Sequence, residues 1–392
     1  MPYSIKRRIK GKKKPSFKKL TKPMKKAFKK STPFKSRGNR SLQMTLEDQL
    51  NALVLFHLEE HASAQHLLHV LKEDDFARKH IAPKKGIEKS SFSEAMNTRG
   101  LKQFIEVFEA LVEEAHAVLP KEYKELGDLT LIDGSLIDAT LSMHWADYRD
   151  GAKKAKAHLG FDLNHGLPRK IFLTDGKGDE RPFVSQIISP GQTGVMDRYY
   201  QCHKNFDQWQ EEQRHFICRI RANTIKKLIR HNEIKAESIV FYDAIVLLGT
   251  SGQNQTEKEL RVVGYKVDNK NYWVATDRYD LTSEQIALAY KLRWNIESFF
   301  AWWKQHLKVY HLIARSKHGL MVQILGGLIT YILLAIYCHN EFGEKVSIKR
   351  VRELRINIIN ESREMESPYR SRRKRYKKRR RSHFPYSSYA NT

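Results

Sequence analysis

The chain has 392 residues with ordinary apolar (41%) and charged (29%) content, enough for two or three domains with a buried core. Its net charge of +27 is unusual and lies at the ends: residues 1–40 hold 17 Lys/Arg and no acid, residues 370–381 hold 10, and the middle is formally neutral. Three cysteines without metal-type spacing, and a basic N-terminus without the apolar run of a secretion signal, argue against a secreted disulfide scaffold or a zinc ribbon and suit a cytoplasmic setting.

Taken in chain order, the first expected element is a basic, disordered arm at 1–40. It is too self-repelling to fold alone, and like the 370–381 run it is suited to polyanions through counterion release. Nucleic acid fits both tails best, with a membrane surface or an acidic protein as the alternatives. Residues 41–122 read as an all-helical unit. One helix is expected from Thr45 to about His80, one from Ser91, and one from Leu101 to Leu119, stopped by Pro120. DNA binding is the expected role of this unit, against a plain bundle without groove contacts.

From Asp128 the pattern becomes mixed α/β. Strands are expected at Leu129–Asp133, in a hairpin around Asn164-His-Gly, before Asp197, and from His215, with helices near 181–188 and 199–210. Residues 123–222 and 284–345 form the two parts of this core. Residues 223–283 form a β-rich insertion with strands at 239–248, 259–266 and 272–276. A helix from Glu284 to about Lys308 resumes the core, and 346–392 is a C-terminal segment with the basic tail. Gly319–Cys338 is nearly all apolar and about long enough to span a bilayer, with a tail anchor as the alternative. Gln323 and Gly326-Gly327 interrupt it, so a helix buried in a globular core is expected and no membrane partner.

The helix carrying Tyr290, Arg293, Glu297 and Lys304 holds the chemistry. At 100° per residue these four share a stripe roughly 60° wide on a helix otherwise rich in Trp and Phe. A salt-bridged surface is the plain explanation, but a polar stripe on a packed helix is better explained as the floor of a site. Carboxylates holding two hard divalent cations could serve phosphodiester cleavage, with basic and aromatic neighbours on the DNA strand. Asp133 and Asp197 each end an expected strand. If those strands are neighbours, both carboxylates emerge at one sheet edge.

The Tyr-x2-Arg-x3-Glu-x6-Lys pattern resembles the signature of a group of bacterial insertion-sequence transposases with a ribonuclease H-like core. Ile132-Asp133-Gly-Ser resembles the group's first Asp motif, and Met196-Asp197-Arg-Tyr-Tyr the second; Tyr199 stands where relatives often have Gly. The resemblance covers roughly residues 45–345. It implies a ribonuclease H-like mixed sheet with flanking helices and a β-rich insertion before the Glu helix. It implies Asp133, Asp197 and Glu297 as ligands of two Mg²⁺ or Mn²⁺ ions. Tyr290, Arg293, Lys304 and Arg198 would contact DNA, and Trp294 or Trp273 would stabilise a flipped base. The implied partners are transposon terminal inverted repeats, target DNA and a second copy of the chain in the synaptic complex.

Other patterns point less far. His57-Leu-Glu-Glu-His61 matches an inverted zinc-peptidase motif but lacks a distant acidic ligand, so surface histidines of a helix are expected. No Gly-rich phosphate loop is present, and Ser135 and Cys202 lack a nucleophile's surroundings. The remaining rivals are a ribonuclease H-like nuclease or resolvase without strand transfer, and a catalytically dead DNA-binding descendant.

Overall fold

A computed structural model of the chain describes residues 15–34 and 42–366, apart from 60, 62, 84 and 308. The basic run at 370–381 lies outside the described residues. Within the arm expected to be disordered, two short helices form, α1 (Ser16–Leu20) and α2 (Met24–Lys30). Phe17, Leu20, Met24 and Ala27 recur at three- and four-residue steps among the lysines, and all four are buried. That stripe gives the segment enough apolar area to dock, which its charge count conceals.

The helical unit follows as α3 (Leu46–Leu58), α4 (Ala64–Glu73), α5 (Asp75–His80), α6 (Lys89–Thr98) and α7 (Leu101–Val118). The single helix expected over 45–80 is therefore three. Thr45 and Asp48 form a capping box, and Ser63 and Asp74 cap the next two starts, so local polar side chains interrupt the apolar period. His57 and His61 are buried rather than on the surface.

The sheet has nine strands in the order β3-β2-β1-β4-β5-β9-β8-β7-β6. Its first half comprises β1 (Leu129–Asp138), β2 (Lys154–Asp162), β3 (Leu167–Asp175), β4 (Thr193–Met196) and β5 (His215–Arg219). β1, β2 and β3 are antiparallel, whereas β4 runs parallel to both β1 and β5. α8 (Val184–Ile187) and α9 (His203–Glu211) cover one face. The 223–283 stretch supplies β6 (Lys226–His231), β7 (Val240–Leu248), β8 (Leu260–Val267) and β9 (Lys270–Thr276). Because β9 pairs with β5, this stretch extends the same sheet sideways.

The chain returns through α10 (Ser283–Lys291), α11 (Trp294–His306), α12 (Lys317–Phe342) and α13 (Ile348–Glu366). α10 and α11 were expected as one helix. Arg293, Asn295 and Ile296 donate to carbonyls three residues back, and this tighter turn separates the two. α12 is long and apolar enough to cross a membrane by composition, yet 89% of its most apolar stretch is buried inside the protein. It packs on α3, α6 and α7. Gly326 and Gly327 permit this packing, since a Cβ would lie 3.1 Å from Leu53 Cβ at the first and 3.0 Å from Trp303 Nε1 at the second.

His57 sits at that junction, with Nδ1 2.5 Å from the Leu307 carbonyl and Nε2 3.1 Å from that of Gln323. Burial outweighs both carbonyls and holds its pKa down to about 4, against 6.5 for a free histidine. The folded value is the lower one, so this contribution is complete above pH 6.5 and is lost as pH falls towards 4. From pH 7 to pH 5 the loss comes to about 2 kcal/mol. Burial lowers His61, His80 and His158 likewise, so the wild type should lose more than this in total, and denaturant unfolding at both pH values should show a drop smaller by about 2 kcal/mol in His57→Gln. Equal pH dependence in the two proteins would mean that another group senses the acid.

Candidate active site

Asp133 is the fifth residue of β1 and does not end the strand, as its sequence suggested; pairing with β2 continues to Asp138. It is instead the neighbour β4 that stops. The last β1–β4 pair is Leu131↔Val195, so two residues further on Asp133 stands level with Asp197. Leu129, Leu131 and Val195 face one core and Ile132 and Met196 the other. By strand alternation Asp133 and Asp197 leave the sheet on the Leu131 side, the side against which α11 packs.

α11 brings Glu297 to this edge. Arg293 donates to Glu297 Oε1 at 2.6 Å, and its other terminal nitrogen lies 3.9 Å from Asp133 Oδ2. One guanidinium thus stands between two of the three carboxylates. Burial pushes the Asp133 carboxyl up to about 7; Arg293 and the Gly134 N–H oppose the rise, and Glu180 and Asp197 add to it. Asp197 caps the 3-10 turn Arg198–Tyr200, accepting from Tyr199 N–H at 2.8 Å.

The remaining expected residues divide. Trp294 is 65% exposed beside Arg293, and Arg198 is exposed. Tyr290 is buried, with Arg293 5.8 Å from its ring centre. Lys304 donates to the Leu136 carbonyl at 2.7 Å, fastening α11 to β1; burial lowers its pKa. Trp273 packs edge-on against Phe241 and Tyr242 with the Lys226 ammonium 4.4 Å from its ring centre, so it offers less free surface than Trp294.

Hard carboxylate oxygens level on one face, already spanned by a cation, suit divalent ions of the Mg²⁺ type. Among the described residues, the one group of three metal-capable side chains whose ligand atoms all lie within 4.8 Å of one another is His116, Asp162 and His165 near the β2–β3 turn; Asp133, Asp197 and Glu297 stand wider than that. Both rings lie at hydrogen-bond distance (2.8 and 3.0 Å) from one oxygen of Asp162, with Arg169 3.6 Å away. His116 Nε2, although 2.8 Å from Asp162 Oδ2, lacks hydrogen-bond geometry, and the group lies apart from the Asp133 edge. A cavity of about 440 Å³ lined by Phe161, Phe299 and Trp302 lies on the opposite side of α11 from Glu297.

Sequence reasoning passed over Glu180, Lys156 and Tyr200, which gather behind Asp133. Glu180 accepts from the Tyr200 hydroxyl at 2.7 Å and lies 3.2 Å from Lys156 Nζ. The doubled tyrosine after Asp197 was the only local signal.

Residues 124–333 match the family model described as the transposase DDE domain. Similar curated proteins include one of Sinorhizobium fredii provisionally named a transposase, 28% identical over 253 residues, covering 62% of this chain and 70% of that protein. A Synechocystis protein, provisionally named a transposase for an insertion sequence element, is 27% identical over 264 residues, covering 64% and 72%. A Geobacillus stearothermophilus protein with a comparable name is 27% identical over 192 residues, covering 48% and 51%.

Proposed function

The chain belongs to the transposase DDE domain family, and from that premise we propose that it cuts the ends of an insertion sequence and joins them to target DNA through Asp133, Asp197 and Glu297. As a member it is a DNA transposase; the residues, ions and steps that follow are our reading. The observation that carries it is the level placement of Asp133 and Asp197 at the β4 end, with Glu297 facing them from α11.

The order β3-β2-β1-β4-β5, with β4 parallel to β1, supports a ribonuclease H-like core at 123–222 and 284–345, interrupted by the 223–283 strands. Asp133, Asp197 and Glu297 would hold two Mg²⁺ or Mn²⁺ ions. Bound there, the ions supply activation of the attacking oxygen and neutralisation of charge at the leaving oxygen. The chain's own groups then position the strand. Arg293, the cation resident between Glu297 and Asp133, is the donor available to a phosphate once those carboxylates are otherwise neutralised. Lys304 keeps α11 against β1, and exposed Arg198 and Trp294 meet the DNA. Water first attacks the phosphodiester at the element's end, and the released 3′-hydroxyl attacks a phosphodiester of the target in a second displacement. Residues 41–122 contribute duplex binding, two copies of the chain pair the two inverted repeats, and the work is done at the cytoplasmic nucleoid.

The test uses duplexes carrying the DNA that flanks the chain's own gene, with Mg²⁺ and a supercoiled target. Joined products support the proposal, whereas nicking without joining identifies a nuclease. In the same assay Trp294→Ala should leave folding intact, as an exposed side chain allows, and weaken end processing by roughly ten- to a hundredfold, the worth of one stacked base. Unchanged processing would remove Trp294 from the DNA contacts.

A further inference from the structure

Beyond Leu131↔Val195 no ladder pair joins β4 to β1, so the sheet itself does not hold Asp197 against Asp133. A different tie spans that gap on the sheet face away from α11. Asp197 caps the turn Arg198–Tyr200, and Tyr200, only 1% exposed, donates its hydroxyl to Glu180 Oε2 at 2.7 Å. Glu180 in turn lies against β1 immediately behind Asp133. A Cβ on Gly134 would stand 2.6 Å from the Glu180 carboxyl carbon, so only glycine at 134 admits it there. Lys156 fixes the other oxygen at 3.2 Å and is itself anchored to the Gly178 carbonyl at 2.9 Å. The carboxylate is 13% exposed, held from three sides, and unused by the reaction steps above.

We propose that Glu180 is a positioning residue of the active site: through Tyr200 it fixes the turn carrying Asp197 against the β1 segment carrying Asp133, and so sets the spacing of the two carboxylates for divalent cations. This rests on reading Asp133 and Asp197 as cation ligands. The hydrogen bond carries the role, because Lys156 already balances the Glu180 charge. Groups that orient metal ligands without touching the ion commonly change affinity by ten- to a hundredfold. The chemistry therefore predicts a defect in ion binding before any DNA is present.

The test is Mn²⁺ titration of the full chain, with free ion read by electron paramagnetic resonance and metal-free melting followed in parallel. Tyr200→Phe, which removes one oxygen and keeps the packing, and Glu180→Ala should each weaken Mn²⁺ binding by roughly tenfold. The double variant should be no weaker than either single one, since both break the same bond. Glu180→Gln, which keeps an acceptor for Tyr200, should stay close to wild type. Lower melting temperatures with unchanged Mn²⁺ affinity would reduce Glu180 to packing, and additive losses in the double variant would sever it from Tyr200; either overturns the proposal. Asp197→Asn serves as the reference. If it binds Mn²⁺ as well as wild type, the ligand assignment itself fails, a result distinct from a silent Glu180.

Discussion

Asp133→Asn is expected to lose at least about a thousandfold in DNA cleavage while making the metal-free protein more stable. On the proposed assignment the activity loss follows from removing one of three ligand carboxylates: several kcal/mol of transition-state stabilisation would depend on ions held there, and each 1.4 kcal/mol is a factor of ten in rate. The stability gain follows from the fold. Burial raises the Asp133 carboxyl to about 7, so its ionised form is disfavoured where it stands. The folded value exceeds the usual 3.8, so the folded state binds the proton more tightly. The cost of ionisation is absent below about pH 3.8, grows as pH rises through the window, and is complete above about pH 7. At pH 8 without metal, Asp133→Asn should therefore unfold at higher denaturant, by a few kcal/mol, and the advantage should fade towards pH 4. Asp197→Asn and Glu297→Gln should lose activity to the same degree. Glu297→Gln also gives up the charge that Arg293 now pairs with at 2.6 Å. Cleavage at the wild-type rate in any of the three would remove that residue from the site. A less stable Asp133→Asn at pH 8 would show that the carboxylate is held for structure.

The parts of this site that were legible are those written in local spacing. Arg293 still meets both Glu297, to which it donates, and the Tyr290 ring although an i→i+3 turn divides the helix, because three- and four-residue neighbours stay adjacent across it. Gly319–Cys338 reads as a buried helix because Gln323 and Gly326-Gly327 interrupt its apolar run, and those glycines fall where Leu53 of α3 and Trp303 of α11 approach. Asp133 misleads in a specific way. The apolar run before it stops, and the sequence reads as a strand end, yet the ladder to β2 carries the backbone on to Asp138. Backbone pairing leaves no mark in side-chain periodicity once a strand is only half-covered. What stops at that level is β4, one strand away, and this leaves the carboxylate partly exposed.

The illegible parts are those built by distant partners or hidden under charge. Glu180 meets Tyr200 across 20 residues and Gly134 across 46, a meeting that no local pattern announces. α13 buries Val351, Leu354 and Ile358 at three- and four-residue steps within a strongly charged segment. α1 does the same with Phe17 and Leu20, and Glu361 of α13 accepts from the Ser16 backbone N–H at 3.0 Å. The N-terminal and C-terminal ends of the described chain thus hold one another. Composition placed α1 and α2 within a basic arm, because lysine and arginine counts respond to the outward faces of these helices alone.

That distinction decides how the basic ends can be tested. Removing residues 1–40 would take away the burial of Phe17, Leu20 and Met24, each worth about 1.5–3 kcal/mol, and would confuse lost folding with lost DNA contacts. A cut before residue 15 removes seven Lys/Arg and a cut after residue 369 removes ten, and neither touches those buried side chains. The doubly trimmed protein should keep the wild-type melting temperature and lose most of its non-specific duplex affinity at moderate salt. If half of the removed cations contact phosphates, the slope of log affinity against log salt should fall by about 7 or 8, at roughly 0.9 per contact. The change should be largest at low salt and should nearly vanish where screening already suppresses the wild type. An unaltered slope with intact melting would assign the tails to a partner other than DNA, and duplex binding would then rest on the folded residues between them. A lowered melting temperature would instead extend the folded boundary outward, because loss of charge alone relieves repulsion and does not destabilise a chain with a net charge of +27.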